Sequence, residues 1–344
     1  MDAVSVIIPT QNRPALLDEA IQSLMSQTLP PAEVIVVDDG SNPVVDPVAL
    51  EAKFGPSVRV LRNEIPRGLA YSRNMGVEYA NSEYVTHLDD DDLLAPSALR
   101  EAYEVLKKNP NLDLVFFAAE GFGPNAEHFN RVQPEAVARV INLAGGREID
   151  PGLFYFDRAL IKALLQTVPI AFQRVMLRRE TWHEVSALRR RAYCLELALP
   201  DDDVAKLRIT GPLRDSEWAV YAGAVCKKAV LINRPLYLQR CAGQGYSSQP
   251  AMKDLHMRQN LSIKTQLLRA SLALPELEAW RPEIRDSVAA THFDAAYASF
   301  HGGQRLLCWR HLWQAILLRP RLTYMRFALR TIFPRFGQAE NPRA

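Results

Sequence analysis

Two hydrophobic periods alternate along the first third of the chain. Val4–Pro9 (V-S-V-I-I-P) is a near-continuous apolar run, the pattern of a strand buried on both faces of a parallel sheet. Pro14–Ser26 then carries Leu17, Ala20, Ile21 and Leu24 at helical spacing. The alternation continues with strands over Val34–Val37 and Val58–Leu61, a helix over Leu69–Ala80 and a strand over Tyr84–Leu88. A helix over Pro96–Lys108, with Pro in its first turn, and a strand over Leu112–Ala119 follow. Strands separated by helical patterns predict βαβ units, hence an α/β fold with a parallel, doubly wound sheet.

The pattern is less regular beyond residue 119. Gly121–Glu127 reads as a loop, Phe154–Gln166 as an amphipathic helix, Val168–Leu177 as a strand, and Arg178–Trp182 as the start of a helix. Ala229–Ile232 and Pro235–Leu238 read as two short strands. Residues 252–335 read as helical, with clear periodicity over Leu255–Leu272 and Ile284–Phe300; Pro320 and Pro334 break Arg305–Arg335 into two short helices.

Length and composition narrow the function without naming it. A chain of 344 residues holds one large or two medium domains. Hydrophobic content of 48%, charged content of 23% and a net charge of +2 are ordinary for a globular protein and imply no global field for nucleic acid. Cys194, Cys226, Cys241 and Cys308 are widely spaced, which argues against a zinc site or disulfide framework and fits a reducing, cytoplasmic compartment. No signal peptide and no transmembrane helix are expected, because no basic n-region or run of 18 apolar residues is visible.

The chemistry lies at the predicted strand ends. Thr10-Gln11-Asn12-Arg13, Asp38-Asp39-Gly40-Ser41 and the four consecutive carboxylates Asp89–Asp92 each follow an apolar strand. In doubly wound sheets ligands bind outside the carboxyl ends of the strands, so these sets are expected to converge. Four adjacent carboxylates suit Mg²⁺ or Mn²⁺, which take one or two such ligands and complete the shell with phosphates. They also suit an acidic helix N-terminus. Neither G-x-G-x-x-G nor a P-loop follows the first strand, so a nucleotide would be held by another scheme. Asp39 could accept from a base N–H or ribose hydroxyls, or serve as a turn residue before Gly40. Asp201-Asp202-Asp203 reads as an exposed turn.

Four segments in order resemble one family. They are V-S-V-I-I-P-T-Q-N-R-P, V-I-V-V-D-D-G-S, R-G-L-A-Y-S-R-N-M-G-V-E-Y-A and E-Y-V-T-H-L-D-D-D-D. Together they resemble the family-2 glycosyltransferases of GT-A fold, over about Val4 to Leu114. The resemblance implies a Rossmann-like, mostly parallel sheet flanked by helices, and transfer of a sugar from a nucleotide-sugar with inversion. A catalytic domain over 1–250 is then expected, with a nucleotide-sugar half (1–119), an acceptor half (120–250) and a helical C-terminal region (251–344).

The resemblance also assigns residues. Thr10 and Asp39 hold the nucleoside with Asp38 as support, and Pro9, Asn12 and Arg13 belong to the same nucleotide set. Arg73 and Asn74 lie beside the nucleotide and diphosphate. Asp89 and Asp91 fill the first and third places of a D-x-D signature; Asp91, with Asp89, ligates Mn²⁺ or Mg²⁺, and Asp89 and Asp90 contact ribose or donor sugar. Asp215, in G-P-L-R-D-S-E-W, matches the catalytic base of an E-D-x-[DE] segment, with Glu217 a neighbour and Asp201–Asp203 the fallback. As a helix-start residue Asp215 could equally be a cap.

Three positions depart from the pattern: Gln11 replaces an aromatic residue, Arg214 replaces the first acid of the base motif, and the loop Cys241–Gln249 has no His. A UDP-sugar is the expected donor, with dTDP- or GDP-sugars as alternatives, and the acceptor is a glycan or lipid-linked glycan of the cell surface. Rival readings are a nucleotidyltransferase and a non-catalytic sugar-nucleotide-binding scaffold. Arg305–Arg335 has seven arginines and no carboxylate among many apolar residues. It reads as a segment lying on the inner face of an anionic membrane or as helices packed on the catalytic domain.

Overall fold

A computed structural model of the chain describes residues 4–166, 174–197, 215–242 and 250–332. The chain divides into two compact units, Met1–Gly245 and Tyr246–Ala344. The first is an α/β unit around a sheet whose strand order is β3-β2-β1-β4-β9-β6-β10-β8-β7, with β5 pairing β10. Its strands are β1 (Val4–Thr10), β2 (Glu33–Asp39), β3 (Val58–Asn63), β4 (Tyr84–His87), β5 (Leu93–Leu94), β6 (Leu114–Phe122), β7 (Arg147–Asp150), β8 (Leu153–Phe156), β9 (Val175–Arg178) and β10 (Ala229–Arg240). Every residue of β1 and of β2 is buried, as expected for near-continuous apolar runs in strands covered on both faces.

The helices of this unit are α1 (Pro14–Met25), α2 (Pro47–Phe54), α3 (Leu69–Glu78), α4 (Ala98–Lys108), α5 (Ala126–Ala144), α6 (Leu160–Leu164), α7 (Arg179–Leu197) and α8 (Asp215–Val225). Leu17, Ala20, Ile21 and Leu24 are the buried face of α1, as the spacing predicts. Helix α3 approaches β1 at Gly76, where a Cβ would run into the side chain of Ile7.

The sheet is mixed rather than wholly parallel. β9 enters between β4 and β6 and runs antiparallel to both, and β8 and β5 run antiparallel to β10. Several expected boundaries are corrected. Phe154–Gln166 is not one helix: β8 and the short α6 replace it, because the aromatic run Phe154-Tyr155-Phe156 pairs with Leu231, Val230 and Ala229 of β10. Gly121 and Phe122 extend β6, and Ala126 and Glu127 already belong to α5, so no loop spans Gly121–Glu127. Helix α5 continues through Pro134 because Gln133, Val137, Val140 and Ala144 form one buried stripe. The two strands expected over 229–238 are one, β10, with register shifts between Ile232 and Pro235 and between Pro235 and Tyr237. Helix α4 starts at Ala98, leaving Pro96 outside it. Of the strand expected over Val168–Leu177, residues 174–177 are described and Val175–Leu177 belong to β9; 168–173 lie outside the described residues.

The second unit is helical: α9 (Pro250–Ala270), α10 (Pro275–Glu278), α11 (Arg281–His301), α12 (Arg305–Leu318) and α13 (Leu322–Ile332). Ala289 and Ala296 of α11, Cys308, Leu312 and Ala315 of α12, and Tyr324 and Phe327 of α13 make its core. Among the described residues no helix is long and apolar enough to cross a membrane.

Candidate active site

The strand register assembles the three polar sets. Thr10 of β1 stands beside Asp38 of β2, and Ile7 stands beside His87 of β4. The chain leaving β4 therefore turns over the carboxyl end of β1. There the Thr10 hydroxyl donates to Asp90 at 2.7 Å, and Arg13 donates to Asp90 at 3.1 Å and to Asp91 at 3.0 Å. Arg73, fully buried on α3, donates to Asp89 at 2.5 Å.

Asp92, which the sequence reading left without a role, is buried and accepts from the Tyr237 hydroxyl at 2.6 Å and the Arg240 backbone N–H at 2.7 Å. Arg240 also donates through Nε to the Asp91 carbonyl at 2.8 Å. Each of the four carboxylates therefore has a cationic or buried partner, which is how four like charges are tolerated in sequence. Burial, reinforced by the neighbouring charge of Asp89, pushes the Asp92 carboxyl up to about 7. Burial also raises Asp90, opposed by the Thr10 hydrogen bond and the charge of Arg13.

The second loop is tied to the first. Asn12, in the left-handed region at φ 56°, donates its N–H to Ser41 Oγ at 2.9 Å and accepts from the Asn42 N–H at 2.7 Å. Gln11 donates to the Asp39 carbonyl at 3.1 Å. The Asp39 carboxylate accepts from Asn63 Nδ2 and from the N–H groups of Arg67 and Gly68, each at 2.8 Å. It thereby shapes the turn into α3, and Oδ2, which takes one donor against two on Oδ1, keeps a spare lone pair. Asp38 is fully buried and turned inward, accepting from Ser41 N–H at 2.8 Å, Val45 N–H at 3.3 Å and Arg62. Burial would raise its carboxyl, but these bonds outweigh that and hold it below the usual range. Pro9 is buried within β1, beside Val37.

Asn74 faces α7: its Oδ1 accepts from the indole of Trp182 at 3.0 Å. Trp182 lies 4.6 Å from the His87 ring and stacks 5.8 Å from Trp218 of α8. Helix α8 begins at Asp215. In its first turn Glu217 is buried and accepts from Arg189 at 2.6 and 3.3 Å and from Tyr193 at 3.1 Å, so its carboxylate is an anchor onto α7. The fallback acids Asp201–Asp203, Arg214 and residues 243–249 of the loop after β10 lie outside the described residues.

Sequence reasoning missed Asp92, Tyr237, Arg240 and the Arg189–Glu217 pair. Only the length of the acidic run hinted at Asp92. Tyr237 and Arg240 lie more than a hundred residues from the acidic run, where no local pattern points to them. No group of three or more His, Cys, Asp or Glu side chains that could hold a metal forms among the described residues. Asp89 and Asp91, with Asp91 half exposed, supply hard carboxylate oxygens, a donor set that fits Mg²⁺ or Mn²⁺ completed by phosphates.

Residues 5–181 match the family model described as Glycosyl transferase family 2. An uncharacterized glycosyltransferase of Haemophilus influenzae is 35% identical over 117 residues, 34% of this chain and 39% of that protein. The poly(ribitol-phosphate) beta-N-acetylglucosaminyltransferase TarP of Staphylococcus aureus is 35% identical over 160 residues, 45% of this chain and 46% of that protein. The match thus spans less than half the length of either relative. The crystal structure of S. aureus TarS 1-349 in complex with UDP-GlcNAc shares the fold at a TM-score of 0.57 with 18% identity, covering 92% of this chain and 82% of that one.

Proposed function

The chain belongs to glycosyl transferase family 2, and from that premise we propose that it moves a sugar from a nucleotide-diphosphate sugar to an acceptor hydroxyl with inversion. The donor is a UDP-sugar, and the acceptor is a glycan or lipid-linked glycan of the cell surface. The observation that carries this reading is the convergence of Thr10, Arg13, Asp39, Arg73 and Asp89–Asp91 at the carboxyl ends of β1, β2 and β4. Likeness to TarP and to a TarS structure holding UDP-GlcNAc supports uridine and makes N-acetylglucosamine the first sugar to test.

In this proposal Thr10 and Asp39 position the nucleoside. Arg13 and Arg73, now paired with the acidic run, are the cations within reach of a diphosphate. Asp91, with Asp89, would hold Mn²⁺ or Mg²⁺, which supplies Lewis-acid stabilisation of the departing diphosphate. Asp215, at the first residue of α8, takes the proton of the attacking hydroxyl. General-base assistance of this kind contributes roughly 10²–10⁴-fold.

The test is thermal stabilisation by UDP, dTDP, GDP and CDP, each with Mn²⁺ or with EDTA, followed by turnover of UDP-N-acetylglucosamine. A ligand at 100 times its Kd adds about 2.7 kcal/mol of stability. UDP with Mn²⁺ is expected to give the largest shift. Asp91→Asn is expected to abolish the Mn²⁺-dependent part, whereas Asp215→Asn keeps nucleotide binding and loses at least about 100-fold in turnover. No shift with any nucleotide, or normal turnover in Asp215→Asn, would overturn the assignment.

A further inference from the structure

Helices α12 and α13 each bear two apolar faces, and among the described residues the second face is exposed. On α12, Cys308, Leu312 and Ala315 face the core, with His311, Ile316 and Leu318 partly covered. Leu306, Trp309, Trp313 and Leu317, at i, i+3, i+7 and i+11, form a separate stripe that is exposed, Leu306 at 91% and Trp313 at 58%. Helix α13 repeats the arrangement. Tyr324 and Phe327 point inward, whereas Leu322, Met325, Leu329 and Ile332 point outward. A surface helix buries one stripe and solvates the other, so two consecutive helices with large outward apolar stripes mark an interaction surface.

Charge identifies the occupant. From Gly302 to Ile332 the chain has six arginines and no carboxylate. Arg319 and Arg321 are held by Asp286 of α11 at 3.3 and 3.5 Å. Arg310 and Arg326 lie one helical turn from Leu306 and Leu322 respectively, within the outward stripes. Tryptophan, leucine and arginine on one exposed face suit the boundary between acyl chains and anionic headgroups: rings and aliphatic chains enter, and guanidinium groups reach phosphates. A second copy of this chain would bring Arg310 and Arg326 face to face with their counterparts, with no carboxylate on α12 or α13 to offset them.

We propose that the outward faces of α12 and α13 seat the protein peripherally on a bilayer carrying anionic lipid. This rests on the C-terminal helical unit alone and stands or falls separately from the assigned activity.

The test is flotation of the full chain with vesicles of phosphatidylcholine alone and with 30 mol% phosphatidylglycerol, at low and high NaCl, beside light scattering without lipid. Binding is expected on the anionic vesicles, weakened by salt, and at least tenfold weaker on the neutral ones. Trp313→Gln with Leu317→Gln is expected to lower binding at least tenfold, and Arg310→Gln with Arg326→Gln to remove the preference for anionic lipid. Both double variants should keep the wild-type melting temperature and nucleotide response, since all four positions are exposed. Absence of binding to anionic vesicles would overturn the proposal, as would binding unchanged in the variants. A lipid-independent dimer abolished by Trp313→Gln with Leu317→Gln would overturn it in favour of a second copy.

Discussion

Glu217 shows how a residue can sit in a functional motif and serve the fold. Its carboxylate is spent on Arg189 and Tyr193, in a pocket where both members of the ion pair are almost fully buried. Removing one partner of such a pair strands a charge in low dielectric, which costs about 3–5 kcal/mol. Glu217→Ala should therefore lower stability by about that amount in denaturant titration. Arg189→Met with Glu217→Leu should restore most of it, because no charge is then left unpaired. Asp39 lends itself to a similar argument. Its two oxygens cap three donors that shape the turn into α3, so Asp39→Asn turns an amide N–H₂ against a backbone N–H. A loss of about 1–3 kcal/mol is expected, together with weaker nucleotide binding.

At the level of elements, Gly76 is the point where helix and sheet touch. A methyl group there collides with Ile7, whose strand cannot move because β1 is buried and paired on both sides. Gly76→Ala should cost about 1–3 kcal/mol despite the better helix propensity of alanine. It should also weaken UDP binding, since Arg73 lies one turn away on the same helix. A melting temperature equal to wild type would contradict this account. The same elements show what was legible beforehand. Strands β1 and β2 announce themselves because a strand covered on both faces reads as a near-continuous apolar run, whereas the half-buried β3 and the short β4 show by their place in the strand–helix alternation. Their polar exits could be read as one site because parallel strands end on the same side. Helix α5 carried no such signature, since Pro134 interrupts its pattern and only the buried stripe across it reveals continuity. β8 was hidden because Phe154–Phe156 fits either period, and its pairing with β10 decides the outcome.

The molecule as a whole divides its chemistry between two units of different character. The α/β unit contains the acidic strand end, and the helical unit contains a histidine pair, His292 on α11 and His311 on α12, with Nδ1 atoms 3.0 Å apart. One ring must donate and the other accept, so the two rings cannot both be protonated while they share this bond. Burial and the facing ring push His292 down to about 4, and burial with the charge of Arg310 lowers His311. The unfolded chain binds protons below about pH 6.5 that the folded unit refuses. The stabilising contribution is therefore present above that pH and is lost as pH falls towards 4. Thermal unfolding should show a steeper acid decline in the wild type than in His292→Leu with His311→Leu, and equal slopes would refute the assignment.

The placement of β9 has a consequence for how this chain can be made. It is the seam of the sheet, lying between β4 and β6, yet it is drawn from Val175–Arg178, well after both. During synthesis the ribosome releases β1 to β4 and then β6 before the strand that joins them exists. Until residue 178 emerges, the nascent sheet has an open cleft at its centre, with the edges of β4 and β6 ready to pair with a neighbouring chain. An expression fragment that stops short of Arg178 would therefore be a half-sheet prone to aggregation. Laboratory truncations of this unit have to be cut beyond that strand.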